Sequence, residues 1–269
     1  MPALPLAPSA RLPRKRSFAT ARTLSAMILR EMATRYGRSP GGYVWALLEP
    51  MAGIMVLAFA FSLMLRDPPM GTSFLLFYAT GMLPFTLFTN ISGTTSRALT
   101  FSRALLHYPA VTWVDAILAR FLLNVLTSFT VALILYTAIL LYAGTTGMLD
   151  FGPILLGGTL SALFGLGVGS VNCVLGGLYP IWFMAWGIIT RPLMIASGVL
   201  FLYTDLPPTA QAVLWYNPLI HIVGLVRTGF YSMYHAEYIS VTYVLVVTVI
   251  LTALGFLFLR RYHKEILAN

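Results

Sequence analysis

Residues 34 to 50 read TRYGRSPGGYVWALLEP, and this stretch decides the fold. A basic segment passes through Ser39-Pro40-Gly41-Gly42 into two aromatic residues, Tyr43 and Trp45, and then into apolar sequence. Proline restricts the residue before it and glycine frees the backbone, so these four residues break a helix and turn the chain sharply. Tyr and Trp collect where hydrocarbon meets water, so Tyr43 and Trp45 mark the start of a membrane span. Glu49 lies about a turn inside, close enough to the surface to pair with the neighbouring arginines or cap the approach, and Pro50 is tolerable near a helix start. Upstream, a helical projection of residues 20–36 puts Leu24, Ile28, Met32 and Tyr36 on one stripe, with Arg22 and Arg30 away from it. That pattern predicts a helix lying on the inner leaflet, apolar side down; Arg35 interrupts the stripe and can snorkel. Arg35, Tyr36, Gly42, Tyr43, Trp45, Glu49 and Pro50 thus form an elbow between a surface helix and a membrane helix.

The rest of the composition agrees. Hydrophobic residues make up 58% of the 269 and charged residues 9%, against about a quarter charged in soluble domains. The expected fold is an all-α polytopic membrane protein with six spans, at roughly 44–65, 74–95, 114–142, 154–178, 181–202 and 238–259. The fourth and fifth spans meet at GGLYP, residues 176–180, a link so short that they must be antiparallel neighbours. Between the last two spans, Asn217-Pro218 breaks an apolar segment into two pieces too short to cross, predicting a re-entrant pair of short helices in the outer leaflet; the other reading is a folded extracellular loop. Residues 1–19 read as a disordered cytosolic tail, and 20–269 as one transmembrane domain.

Lys and Arg concentrate in the N-terminal segment, at Arg97 and Arg103, and at Arg260, Arg261 and Lys264, whereas the opposite loops carry Arg66 beside Asp67, then Asp150, Asp205 and Glu237. Basic loops stay in the cytosol, so both termini are expected there. The net charge of +9 is spread over membrane-proximal loops and is no nucleic-acid patch. Cys173, the single cysteine, permits neither an intrachain disulfide nor a cysteine-based metal cluster.

The segment REMATRYGRSPGGYVWALLEP resembles the signature at the start of ABC-2 type permeases that export polysaccharides, especially the capsular polysaccharide export permeases of Gram-negative bacteria. HYPAVTWVDAILAR before the third span and LWYNPLIHIVGLVR between the fifth and sixth follow the same order of features. Two positions depart from the pattern: Gly41 replaces a larger apolar residue, and Gly224 stands where relatives often carry a glutamate three residues after the histidine. The resemblance implies a half-transporter in the inner membrane that pairs with itself and with two copies of a separate ATP-binding subunit. It implies no cofactor in this chain, ATP and Mg being bound by the ATPase. A lipid-linked, acidic polysaccharide is the implied cargo, passed on to periplasmic and outer-membrane export proteins. The sequence agrees in lacking a G-x-x-x-x-G-K-[ST] phosphate loop. In relatives the segment equivalent to residues 96–109 is a coupling helix seated in the ATPase; here it carries Arg97, Leu99, Phe101 and Arg103, the two apolar residues expected to be exposed.

Ser161, Gly165, Gly169, Cys173 and Gly177 recur every four positions, a ridge that permits close helix approach, either for sliding or for static packing. Arg191 lies mid-span with no acid at comparable depth, and a lone charge there costs about 2.5 to 3.5 kcal/mol. An aqueous canal facing Arg191 is the economical explanation, with Trp182 and Trp186 offering flat faces to sugar rings. Trp215, Asn217, Pro218, His221 and Arg227 form a candidate outer gate; His221 and Arg227 could instead face the outer headgroups. An intramembrane enzyme would need acids or histidines clustered on one cavity, and the four histidines lie in separate loops or tails. A passive channel leaves the elbow unexplained, and an O-antigen or teichoic-acid exporter is the competing transport reading.

Overall fold

The computed structural model describes residues 19–36, 41–106, 108, 111–144 and 148–268, with the backbone alone at 19–21, 35 and 36. Residues 1–18 of the proposed tail, the Ser39-Pro40 break, His107 and the side chains of Arg35 and Tyr36 lie outside the described residues, while Ala19 begins the first helix. The described chain is helical: α1 (Ala19–Tyr36), α2 (Val44–Ser62), α3 (Phe74–Ser96), α4 (Ala98–Leu106), α5 (Trp113–Ala143), α6 (Phe151–Leu178), α7 (Ile181–Ala196), α8 (Pro208–Leu214), α9 (Pro218–Phe230) and α10 (Val241–Ala268).

Local chemistry fixes these boundaries. Ser73 accepts from the Leu76 N–H to start α3. Thr112 and Asp115 form a reciprocal capping box that starts α5. Asp150 accepts from the Gly152 N–H to start α6. Five helices are long and apolar enough to cross a membrane: α2, α3 with its continuation α4, α5, α6 and α10. The fifth predicted span is a shorter helix. At 16 residues α7 is about 24 Å long, and Gly198, at a left-handed φ of 72°, turns the chain just beyond it.

Helix α6 is the central post, packed between α3 and α10. The predicted small-residue ridge serves this packing. Ser161 Oγ donates to the Pro84 carbonyl at 2.6 Å, and a side chain at Gly169 would press on the Ser92 backbone. Cys173 is buried beside Ala98 and Leu99. From the other side Gly255 of α10 approaches Ser170 so closely that a Cβ would sit 2.6 Å from the serine Cβ. Such contact between backbones is how apolar helices gain van der Waals energy where no hydrophobic drive separates them from lipid.

The outer helices are thinly covered. Helix α7 packs chiefly on α6 and has no buried residue. Helix α2 shows Val44, Trp45, Met55, Val56 and Phe59 at the surface, while Pro50, Ile54 and Ala58 are buried and Leu47 and Met51 pack on the cluster of Phe77, Tyr78 and Leu135.

Candidate functional site

At the elbow, Gly41 and Gly42 have φ of 95° and 42°, which turn the chain into α2. Tyr43, Trp45 and Glu49 are exposed and Pro50 is buried. The expected pairing of Glu49 with an arginine is not found among the described residues; it faces a cleft. Gly42, just before α2, and Trp45, Ala46, Glu49 and Pro50 on one face of α2 wall a cavity of about 330 Å³. Thr86 and Asn90 of α3 and Asn124, Thr127 and Ser128 of α5 supply its polar walls. Beside it, an apolar groove of about 750 Å³ runs between α2 and α5 beneath Ile28 and Met32 of α1.

Helix α1 packs on α5 through Leu24, Met27 and Ile28. Met32, predicted on the stripe that faces the leaflet, is 37% exposed; the face packed on α5 runs from Leu24 and Met27 through Ile28 to Glu31, whose side chain meets Arg120 of α5 at 2.8 Å. The Arg120 guanidinium also donates to the Thr94 carbonyl and lies over the Phe101 ring at 4.8 Å. One buried cation therefore ties α1, α3, α4 and α5 together. Sequence reasoning missed this junction, although a lone acid on the apolar face of α1 and a lone base just inside α5 were its visible signs.

On α4, Phe101 is 61% exposed as expected, whereas Leu99 is fully buried against α5, α6 and α10, which corrects its predicted exposure. The nine-residue helix has one wet face and one core face, and Leu99 falls on the latter. Arg97 is exposed over the Phe183 ring at the base of α7, and Arg103 reaches the Ala268 carbonyl at the end of α10.

On α7 the predicted canal residues fall on different sides. Trp182 donates its indole N–H to Asn172 Oδ1 of α6 at 2.9 Å and stacks with Trp186, itself packed on the core. Arg191 is nine residues beyond Trp182, about half a turn round the helix from it. It sits on the exposed stripe Ile181, Met184, Ile188, Arg191, Ile195 and makes no hydrogen bond or ion pair among the described residues.

At the opposite end of the bundle from α4, the predicted gate residues form a tight knot. Asn217 accepts from the Leu219 N–H, capping α9, while its amide donates to the Ala196 carbonyl at the end of α7. His221 and Arg227 are buried, so facing headgroups is not how they sit. His221 Nδ1 accepts from the Ser240 N–H, which leaves Nε2 protonated to donate to the Trp215 carbonyl. No side chain fits at Gly224, where Tyr238 fills the space, so the absent glutamate has no room. Arg227 donates to the carbonyls of Phe201 and Val199 at 2.9 and 3.1 Å and lies 4.3 Å from the Phe77 ring centre. Tyr231, Tyr234 and Tyr238 surround it, their hydroxyls pushed above the usual tyrosine value by burial, so none supplies an anion. Among the described residues no three His, Cys, Asp or Glu side chains gather so that they could hold a metal ion.

Known proteins with similar sequences span nearly this whole chain. The polysialic acid transport protein KpsM of Escherichia coli is 28% identical over 247 residues, 92% of this chain and 96% of its own. The capsule polysaccharide export inner-membrane proteins CtrC of Neisseria meningitidis serogroup B and BexB of Haemophilus influenzae are each 26% identical over 246 residues, 91% of this chain and 92% of theirs. The family model of the ABC-2 type transporter matches residues 22–231, and the chain belongs to that family.

Proposed function

We propose that this chain is the permease subunit of an ATP-binding-cassette exporter that moves a lipid-linked, acidic capsular polysaccharide outward across a bacterial inner membrane. The observation that carries the reading is the near end-to-end likeness to capsule-export proteins. Two copies form the canal, each contributing the stripe of α7 that holds Arg191. Two copies of a separate ATPase bind ATP and magnesium, and export proteins of the periplasm and outer membrane receive the polymer. Helix α1 lies along the inner leaflet; α7 makes a sixth, short crossing beside the five longer ones; α8 and α9 dip into the outer leaflet without crossing. Both termini are cytosolic. The direct test is surface polysaccharide after deletion of the gene with the biosynthetic enzymes intact: polymer should accumulate inside, and a normal surface layer would overturn the reading.

Coupling is assigned to the wet face of α4. Phe101→Ala should lower co-purified ATPase by roughly tenfold or more at a normal permease level, as expected for an aromatic anchor worth about 2 kcal/mol. Leu99→Ala should act differently, reducing the permease itself, because truncating a buried leucine costs about 2 to 5 kcal/mol. Full ATPase recovery with Phe101→Ala would move the docking surface elsewhere.

The elbow yields a second expectation. Valine at Gly42 would be a β-branched residue at positive φ, a strain of about 1 to 3 kcal/mol that the chain relieves by changing the bend. Gly42→Val should therefore impair export while membrane insertion stays normal, read as surface polysaccharide against permease level. Unimpaired export would remove the bend from the transport cycle.

A further inference from the structure

Four polar side chains face the cleft beneath the elbow without a hydrogen-bond partner among the described residues: Glu49 of α2, Thr86 and Asn90 of α3, and Ser128 of α5. They lie within helices whose apolar character suits hydrocarbon. Polar groups in such surroundings are costly unless something polar fills the space between them. The cleft lies between the face of α2 that runs from Trp45 to Pro50 and the facing sides of α3 and α5, one turn from the packed Ile54. The polar cavity of about 330 Å³ and the apolar groove of about 750 Å³ are two parts of this one opening, for Ala46, Thr127 and Val131 line both. An amphiphile with its head among the polar groups and its chain along α2 and α5 matches that division.

The chemistry of the walls selects the head. The cavity contains one acid and no cation, which disfavours a phosphate or another anion. An amide, two alcohols and a carboxylate are complementary to sugar hydroxyls, which donate to Glu49 and exchange hydrogen bonds with Asn90, Thr86 and Ser128. Trp45 adds an aromatic face at the rim. We infer that this cleft binds the sugar-bearing end of a glycolipid, its sugar in the polar cavity and its alkyl chain in the adjoining groove. Linking that glycolipid to the exported substrate rests on the export reading above and concerns an uncharged sugar of the lipid-linked polymer, not its acidic groups; the site itself rests on the residues.

The probe is a dodecyl glucoside carrying a photoreactive diazirine in its alkyl chain, added to the transporter assembled with its ATPase in nanodiscs. Cross-links should map to residues 44–47 and 122–131. Unlabelled dodecyl glucoside should compete, and dodecylphosphocholine, with the same chain and a charged head, should not. Glu49→Gln together with Asn90→Leu should reduce labelling about tenfold, the equivalent of one or two hydrogen bonds. Ala46→Phe, which fills the seam between the two compartments, provides a second variant should the first fail to assemble. Equal competition by both amphiphiles would show a groove for any bilayer lipid, and labelling elsewhere or unchanged in both variants would show a cavity holding water; either overturns the site. Surface polysaccharide in the same variants separates the two readings: lost labelling with unimpaired export supports the glycolipid site while removing it from the export path.

Discussion

Replacing Arg191 by alanine is expected to cut polysaccharide export at least about tenfold, with the assembled transporter at its normal level. The residue sits about two-thirds of the way along α7 on an exposed stripe otherwise made of Ile181, Met184, Ile188 and Ile195. Facing lipid there would cost roughly 2.5 to 3.5 kcal/mol, and no acid of this chain approaches it among the described residues. On the proposal that a second copy faces this stripe across a wet canal, that cost is relieved, and the same cation would lower the penalty on an anionic polymer crossing a low-dielectric region. Arg191→Lys should retain part of the activity, since it keeps the charge but loses the planar fork that grips carboxylates and phosphates. Cysteine at 191 in a Cys173→Ser background should react with a small water-soluble thiol reagent, whereas Cys173 is buried. An unreactive cysteine together with normal export by Arg191→Ala would place the canal elsewhere.

Period and composition made the helices legible, because a segment that crosses hydrocarbon has few ways to satisfy its backbone. The predicted starts of the spans fall within three residues of the starts of α2, α3, α5, α6, α7 and α10, and the Asn217-Pro218 break is where α8 and α9 divide. The end of α7 was harder to read. Apolar sequence continues to Leu202, and only the left-handed Gly198 distinguishes a turn from more helix. Side-chain partners were the least legible. Arg120 and Glu31 are 89 residues apart, and nothing in either local sequence names the other. Leu99 looked exposed because its segment is basic, yet the segment is a two-faced helix and the leucine is on the dry side. Trp182, Trp186 and Arg191 looked like one surface because they share a helix, but helical phase separates them.

Arg227→Lys is expected to destabilise the purified transporter by about 2 to 4 kcal/mol, despite conserving the charge. After Gly198 ends α7, the chain folds back with the carbonyls of Val199 and Phe201 directed at α9, and both are received by one guanidinium. An ammonium group cannot span the two acceptors and cover the Phe77 ring in the same pose. The lysine variant therefore forfeits at least one charge-assisted hydrogen bond, worth about 1.5 to 3 kcal/mol, and part of the ring contact. Arg227→Met removes the buried charge, a gain, but leaves both carbonyls without a donor at about 1 to 3 kcal/mol each, so it too should lose stability. Thermal unfolding in detergent reads both, with a fall in Tm of at least about 5 °C expected for lysine. Because Asn217 holds Ala196 from the same side, the C-terminal end of α7 then depends on a single clamp. Export should fall along with stability as the Arg191 stripe loses its fixed end. A lysine variant that unfolds within about 1 °C of the parent would mean that those carbonyls find other donors, and that Arg227 is not what holds the end of α7.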